Sequence, residues 1–157
     1  MKVTLLVIGK TSETFLKEGI DFYMRRLKHY TEFRIQVIPD LKKTGNSGVG
    51  QIKNREGEKI LSKWVPGKEY HLFDENGISL SSREFARFLE KKMISGLKEL
   101  VFIVGGPYGF SNAVHKKADS KISLSRMTFS HQLARLLCTE QIYRAFTIIR
   151  GEPYHNK

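Results

Sequence analysis

The fold class follows most directly from one stretch of the chain, LVFIVGGPYG at residues 100–109. Its first five residues form an unbroken apolar run, which is typical of a strand buried on both faces of an α/β sheet. The run ends in Gly105 and Gly106, and ligands of open α/β sheets bind beyond the carboxyl ends of the strands. Because glycine has no side chain, a ligand can approach the backbone closely there. Residues 100–104 are therefore predicted as the most apolar strand of the sheet, leading into a binding loop, although a purely structural turn has the same pattern. The apolar run at Val3–Gly9, which also ends in glycine, is predicted as a central strand.

Strands and helices are predicted to alternate along the rest of the chain. The predicted strands are Val3–Gly9, Arg34–Asp40, Glu69–Asp74, Leu100–Val104 and Lys121–Ser125. The predicted helices are Ser12–Tyr30 capped by Thr11 or Ser12, Ile52–Trp64, a helix opened by the capping box of Ser81 and Glu84, a short helix from about Ser111, and Ser130–Arg150. This order predicts an α/β fold with a mainly parallel sheet and helices on both faces, in a single domain of residues 1–157.

Two connections have a distinctive composition. Leu41–Gln51 contains three glycines and two lysines, which predicts a flexible basic loop. Glu75–Gly77 ends in Asn-Gly, a dipeptide typical of tight turns, and is predicted to close the third strand.

A second distinctive stretch is LSRMTFSHQ at residues 124–132. A strand end is followed there by a basic residue, by small polar and apolar residues, and by Ser130 as the cap of the last helix. The pattern fits a ligand-binding segment. It fits equally a plain strand-to-helix connection with Met127 and Phe129 in the core.

Composition limits the partners. The chain has 27 Lys and Arg against 16 Asp and Glu, a formal net charge of +11, which favours anionic polymers or anionic membrane surfaces. Its lone cysteine, Cys138, cannot form a disulfide within the chain, which fits the reducing cytoplasm. The apolar N-terminal run is short, is interrupted by Lys10 and lacks a cleavage site, so we interpret it as a strand rather than a signal peptide.

Several common sites are excluded by missing residues. Gly9 stands alone after the first strand, where a dinucleotide fold needs G-x-G-x-x-G. Gly45 and Gly50 have P-loop spacing, but Gln51 and Ile52 replace the required Lys and Ser or Thr. No G-x-S-x-G elbow is present, and the five histidines never pair at metal-ligand spacing.

Four segments together resemble the RlmH family of small SPOUT-class methyltransferases, which modify a pseudouridine in 23S rRNA. They are residues 101–109, residues 124–132, EQIYRA at residues 140–145 and RGEPYH at residues 150–155. The resemblance extends over essentially the entire chain. It implies that the C-terminal segment threads through a loop to form an α/β (trefoil) knot, although unknotted connections are the general rule.

The resemblance also implies an activity, a cofactor and partners. The activity is methyl transfer from S-adenosylmethionine to N3 of a pseudouridine in the large-subunit rRNA. The implied cofactor site consists of Phe73, Gly105, Leu124, Ser125, Arg126, Met127, Thr128 and Phe129. The implied assembly is a homodimer in which the tail of one protomer completes the site of the other, with no membrane or metal partner. Because so small an enzyme has little surface with which to select one nucleotide, we expect 23S rRNA to be presented in the assembled subunit or ribosome.

The catalytic residues are predicted from the chemistry of the acceptor. The imide nitrogen of a pseudouridine must lose a proton as it attacks, so a base or cations beside it would help. The candidates near the motifs are His131, Arg135, Glu140, Arg144, Tyr154 and His155. Of these, His155 is predicted as the base and Tyr154 as a stacking partner, with Arg144 and Arg135 as further catalytic residues. A frayed chain end is the alternative for the tail.

Two other functions compete with this one. A non-catalytic basic RNA-binding protein would explain the charge but not the two distinctive stretches. A nucleotide hydrolase would need the phosphate loop or metal cluster that the sequence lacks.

Overall fold

The computed structural model describes residues 1–41 and 48–156. Strands and helices alternate in the order β1 Lys2–Ile8, α1 Thr14–Leu27, β2 Phe33–Ile38, α2 Val49–Ser62, β3 Glu69–Ser79, α3 Ser82–Ile94, β4 Glu99–Val104, α4 Asn112–Lys117, β5 Ser120–Ser123 and α5 His131–Ile149. Every predicted strand and helix is therefore present, with ends that differ by a few residues.

The strands form a parallel sheet in the order β2-β1-β4-β3-β5. All six residues of β4 are buried, as expected for the most apolar of the predicted strands, and β4 lies at the centre of the sheet with β1, the predicted central strand, beside it. The carboxyl ends of β1, β3 and β4 consequently lie at one edge of the sheet, together with the loops that follow them.

Helices cover both faces of the sheet, which confirms the predicted layering. On one face, α1, α3 and α5 pack over a core that includes Leu5, Phe102 and Phe146. On the other face, α2 and α4 pack over a core that includes Ile60 and Val114. Cys138 is a free, buried thiol of the first core, and burial raises its pKa well above the ordinary value.

Trp64 lies at the amino-terminal edge of the sheet, where α2 leads into β3. Its indole stacks on the ring of Tyr70 with 4.0 Å between ring centroids. The Tyr70 hydroxyl accepts a hydrogen bond from the Val65 amide at 2.8 Å, which fixes this corner.

The predicted turn at residues 75–77 is wrong, because β3 continues through it. Phe73 and Ile78 both align with Ile122 of β5, so residues 74–77 form a bulge inside the strand. A Cβ added at Gly77 would lie 2.6 Å from the backbone of Ile122, so glycine allows β5 to approach. Asn-Gly is a local turn signal, and it is overridden here by pairing with a strand distant in the sequence.

Two further predictions need correction. The cap of α1 is Glu13, whose side chain makes no capping hydrogen bond within the described part, rather than Thr11 or Ser12. Of the predicted loop Leu41–Gln51, residues 42–47 lie outside the described residues, and residues 49–51 belong to the first turn of α2. The caps at Ser81, Ser111 and Ser130 are confirmed. The knotted threading and the single-domain organisation stay predictions.

Candidate cofactor and catalytic site

A cleft of about 680 Å³ lies at the carboxyl-terminal edge of the sheet. Three segments form it: the end of β3 with its bulge, the loop after β4, and the connection between β5 and α5. This is where ligands of open α/β sheets bind, and the volume is within the range of small-molecule sites. The two stretches that the sequence singles out, residues 100–109 and 124–132, therefore meet in one place.

Seven of the eight predicted cofactor residues line this cleft. They are Phe73, Gly105, Leu124, Ser125, Met127, Thr128 and Phe129. The eighth, Arg126, is exposed and does not line the cleft in the part of the chain that the structure describes. The alternative for residues 124–132, a connection with Met127 in the core, is wrong because Met127 is 75% exposed.

Short polar contacts give the β5–α5 connection its shape. The Ser123 hydroxyl donates to the carbonyl of Ser125 at 2.8 Å, and the Ser125 hydroxyl accepts from the Met127 amide at 3.0 Å. The Thr128 hydroxyl donates to a carboxylate oxygen of Glu75 at 2.9 Å, which joins the connection to the bulge of β3. The backbone of this segment is therefore held in one conformation at the rim of the cleft.

The two glycines after β4 line the cleft and also make room for protein groups. A Cβ added at Gly105 would lie 3.1 Å from the ring of Phe110. One added at Gly106 would lie 2.6 Å from the carboxylate of Glu56, which is 7% exposed. The Oε1 atom of Glu56 has no hydrogen-bond partner among the described residues, and burial, with a contribution from Asp40, raises the pKa of this carboxyl. Internal packing is thus an additional reason for these glycines, and the close approach of a ligand at Gly105 stays a prediction.

The cleft contains titratable groups, of which sequence reasoning named His131 as a candidate and missed the others. Asp74 and Glu75 line it on the bulge, and His115 and His131 line it from α4 and α5. Nε2 of His115 lies 3.7 Å from the carboxylate of Asp74, and burial lowers the pKa of His131. The sequence could have indicated the two acids, Asp74 and Glu75, because both lie at the carboxyl end of the predicted strand Glu69–Asp74, where ligands bind.

A second group of polar side chains lies on α5 and the tail. Arg144 donates from Nε and Nη2 to Oε1 of Glu140 at 2.9 and 2.6 Å. The Tyr154 hydroxyl donates to the same oxygen at 3.0 Å, and the Arg144 guanidinium lies 4.8 Å from the centre of the Tyr154 ring. Nη1 of Arg144 lies 3.3 Å from Nδ1 of His155. We call Glu140, Arg144, Tyr154 and His155 the tail cluster.

The contacts within the tail cluster indicate which atoms of His155 and Tyr154 carry protons. Arginine can only donate, so Nδ1 of His155 accepts, and the proton of the neutral ring is on Nε2. Burial, together with Tyr23 and Glu140, raises the pKa of Tyr154, which therefore remains a neutral phenol. Three of the four predicted catalytic residues, Arg144, Tyr154 and His155, are thus in contact. Because these contacts hold the tail as far as His155, the alternative of a frayed chain end is wrong for residues 154 and 155.

The tail cluster is far from the cleft of the same chain. Ala134 is the residue of α5 furthest along the helix that lines the cleft, and Arg144 lies ten residues beyond it, which is about 15 Å along an α-helix. Glu140 and Arg144 are carried by α5 itself, and Tyr154 and His155 are held beside them. The cluster and the cleft of one protomer therefore do not form a single site.

Arg135 belongs to neither group. Its side chain is 1% exposed, and its guanidinium donates to the carbonyls of Ile8 and Gly9, the latter at 2.8 Å. These bonds tie the first half of α5 to the carboxyl end of β1. The contacts indicate a structural role, and they give no support to the predicted catalytic role.

Membranes and metal ions are two further classes of partner. Among the described residues, no helix combines the length and the apolar character needed to cross a membrane. Within residues 1–41 and 48–156, no group of three or more His, Cys, Asp or Glu side chains could hold a metal ion.

Comparison with known proteins adds an independent finding. The family described as Predicted SPOUT methyltransferase matches residues 1–155. Proteins named ribosomal RNA large subunit methyltransferase H from Christiangramia forsetii and Parabacteroides distasonis are each 53% identical over 157 residues, with 100% of both chains covered. The solved structure of a probable methylase family protein from Haemophilus influenzae Rd KW20 matches 99% of this chain and 70% of its own with a TM-score of 0.52. At 12% identity it shows likeness of fold alone.

Proposed function

The chain belongs to the SPOUT methyltransferase family, and from this premise we propose that it methylates N3 of a pseudouridine in 23S rRNA of the large ribosomal subunit, with S-adenosylmethionine as methyl donor. The observation that carries the proposal is the cleft at the carboxyl ends of β3 and β4. Seven of the residues implied by the family resemblance converge there, although they come from three distant parts of the chain.

The cleft residues fit this cofactor. Phe73, Leu124 and Phe129 offer apolar surface for an adenine ring, and the ordered backbone at residues 124–129 offers amides and carbonyls to its edge. Asp74 and Glu75 offer carboxylates to hydroxyl or ammonium groups. When bound, the cofactor supplies a methyl group already activated on a sulfonium, so the protein mainly has to orient the acceptor and remove its proton.

We further propose that the enzyme is a homodimer in which the tail cluster of one protomer faces the cleft of the other. The separation of about 15 Å along α5 between Ala134 of the cleft and Arg144 of the cluster supports this arrangement. Apolar surface beside α5 supports dimerisation, since Phe15 and Phe22 on the adjacent α1 are 64% and 41% exposed. A stable interface should bury more than about 1,000 Å².

In this composite site, His155 is the proposed base for the imide proton. Its Nδ1 is occupied by Arg144 in the structure, so base catalysis requires that Arg144 release this nitrogen when RNA binds. Tyr154, as a neutral phenol, is proposed to stack on the target base. Arg144 is then free to stabilise negative charge on the oxygens flanking N3.

The proposed substrate indicates where the protein acts and in which particle it meets its rRNA. We propose that the protein acts in the cytoplasm on the assembled large subunit or ribosome. We also propose that the domain includes all residues 1–157 and is knotted; in support, α5 begins at the cleft and is tied to β1, in the middle of the sheet, through Arg135.

The test uses ribosomal particles from a strain that lacks the gene. Purified protein and S-adenosylmethionine with a labelled methyl group are added to large subunits, to ribosomes and to naked 23S rRNA. The expected result is one methylated pseudouridine, located by mass mapping, with particles preferred over naked rRNA. Saturable RNA binding without methyl transfer or cofactor binding would instead identify a non-catalytic RNA-binding protein.

A further inference from the structure

A second cavity, of about 380 Å³, lies between α3, the end of α5 and the tail. We call it the α3–tail groove. Arg83, Arg87 and Glu90 line it from α3, Ile148 and Ile149 from α5, and Glu152 and His155 from the tail. It shares His155 with the tail cluster but none of the residues that line the cofactor cleft.

The groove contains two free cations on the same side of one helix. Arg83 and Arg87 are four residues apart, so they are neighbours on the surface of α3, and both are exposed. Neither forms an ion pair within 4.0 Å of a carboxylate in the part of the chain that the structure describes. Their guanidinium groups are therefore available to an external anion.

Helix stability does not account for Arg83. It lies in the first turn of α3, where the helix dipole disfavours a cation. A cation in an unfavourable position, without an ion-pair partner among the described residues and at the edge of a cavity, is better explained by a ligand than by folding. The planar guanidinium forks of two such residues suit the oxygens of a phosphate.

We propose that the α3–tail groove binds a phosphate of the RNA backbone next to the target nucleotide, with Arg83 and Arg87 as its ligands. This inference rests on the proposed function, because the groove borders His155, where the target base is to be held. A nucleotide turned toward the tail leaves its neighbouring phosphate close to the groove wall.

The acids of the groove are compatible with this occupant. Glu152 accepts from the Tyr30 hydroxyl at 2.5 Å but keeps its negative charge, so two cations and two anions line the groove and the arginines must contact the phosphate directly. Glu90 repels a phosphate, but its carboxylate can accept a hydrogen bond from a ribose 2′-hydroxyl. RNA offers both groups within one nucleotide, whereas free inorganic phosphate offers the anion alone.

The test compares two double variants that each remove two positive charges. Arg83→Ala/Arg87→Ala changes the groove. Lys63→Ala/Lys98→Ala is the control, because both lysines are exposed and precede β3 and β4 at the opposite edge of the sheet. Methyl transfer to large subunits is measured against particle concentration at several salt concentrations, and cofactor affinity is measured by calorimetry.

The arginine variant should raise the apparent KM for the particle about tenfold and leave kcat and cofactor affinity near the parent values. The slope of log affinity against log salt should become less steep by about 0.7 to 0.9, the value for one phosphate contact. The lysine control should keep the parent KM, and Arg83→Lys/Arg87→Lys should keep most of the salt slope.

Three results would overturn the inference. One is an arginine variant that behaves like the lysine control. Another is an arginine variant that becomes a monomer in light scattering, which would make the groove an interface between copies. A third is competition by inorganic phosphate as strong as that by an RNA fragment of equal phosphate concentration. If the parent protein methylates no particle, the proposed function fails instead, and the two failures are thereby distinguished.

Discussion

The cofactor cleft and the tail cluster are built in opposite ways. The cleft consists of strand ends and connections from three parts of the chain, and its shape depends on backbone held by short hydrogen bonds. The tail cluster consists of two side chains of α5 and two of the tail, with Glu140 accepting from both Arg144 and Tyr154. A preformed pocket suits a cofactor of constant shape, whereas side-chain contacts that can be exchanged suit a site that opens for RNA.

The largest expected effect comes from the tail. His155→Ala should lower the rate of methyl transfer by about 10² to 10⁴, the usual range for loss of a general base. Removal of residues 154–157 should lower it at least as far. In both variants cofactor affinity should remain near that of the parent, because the cleft is distant from the cluster in the same chain. Single-turnover rates and calorimetry measure the two quantities, and a matched loss of cofactor affinity would contradict the separation of the two regions.

A smaller effect is expected from filling the cleft. Thr128 is exposed and lines the cleft, so Thr128→Trp should place an indole in cofactor space without disturbing the core. Cofactor affinity should fall at least about tenfold, which corresponds to about 1.4 kcal/mol. Thr128→Ser keeps the hydroxyl that donates to Glu75 and should bind like the parent. Equal affinity of the tryptophan variant would mean that the cofactor lies elsewhere.

The carboxyl of Glu56, which lies behind Gly106 of the cleft lining, gives a prediction about the pH dependence of stability. The buried carboxyl of Glu56 has a raised pKa, so its ionised form is disfavoured in the folded state at neutral pH. Glu56→Gln should therefore increase the free energy of unfolding at pH 7 by about 1 kcal/mol. The gain should shrink as the pH falls toward the ordinary carboxyl range, where the parent becomes protonated. Urea unfolding at several pH values measures it, and a loss of stability at pH 7 would show that the carboxylate has a partner.

The matched control for this prediction is in the same helix. Glu58 is exposed, so Glu58→Gln should change the free energy of unfolding little at any of these pH values.

The sharpest comparison of cleft and cluster comes from a mixed dimer, in which the expected effect is a twofold loss of methyl-transfer activity. A mixed dimer is prepared in which one protomer carries Thr128→Trp and the other lacks residues 154–157. If tails are shared, both defects fall in one composite site and the other site is intact, so about half of the parent activity remains. Activity is measured at a cofactor concentration well below the Kd of the Thr128→Trp cleft, where both homodimeric variants should be nearly inactive. A mixed dimer without activity would mean that each chain uses its own tail.

The sequence predicts the cleft better than the cluster for a physical reason. In a parallel sheet the carboxyl ends of all strands lie at one edge, so the predicted parallel sheet is enough to place residue 105 and residues 124–129 at the same edge. The contact of Tyr154 with Glu140 depends on how the tail turns back along α5, for which no periodic signal exists. The role of Arg135 depends on carbonyls more than 120 residues away, which a helical pattern cannot reveal. The bulge of β3 was hidden for the same reason, because its partner β5 is distant in the chain.

The position of Trp64 determines what intrinsic fluorescence can report. It is the only tryptophan in the sequence, and it is stacked on Tyr70 at the edge of the sheet opposite the cleft. Its emission should follow the unfolding of the α2–β3 corner, yet it is not positioned to sense a cofactor or an RNA directly. A spectral change on adding either ligand would therefore measure rearrangement transmitted across the sheet, whereas the indole introduced by Thr128→Trp would report on the cleft itself.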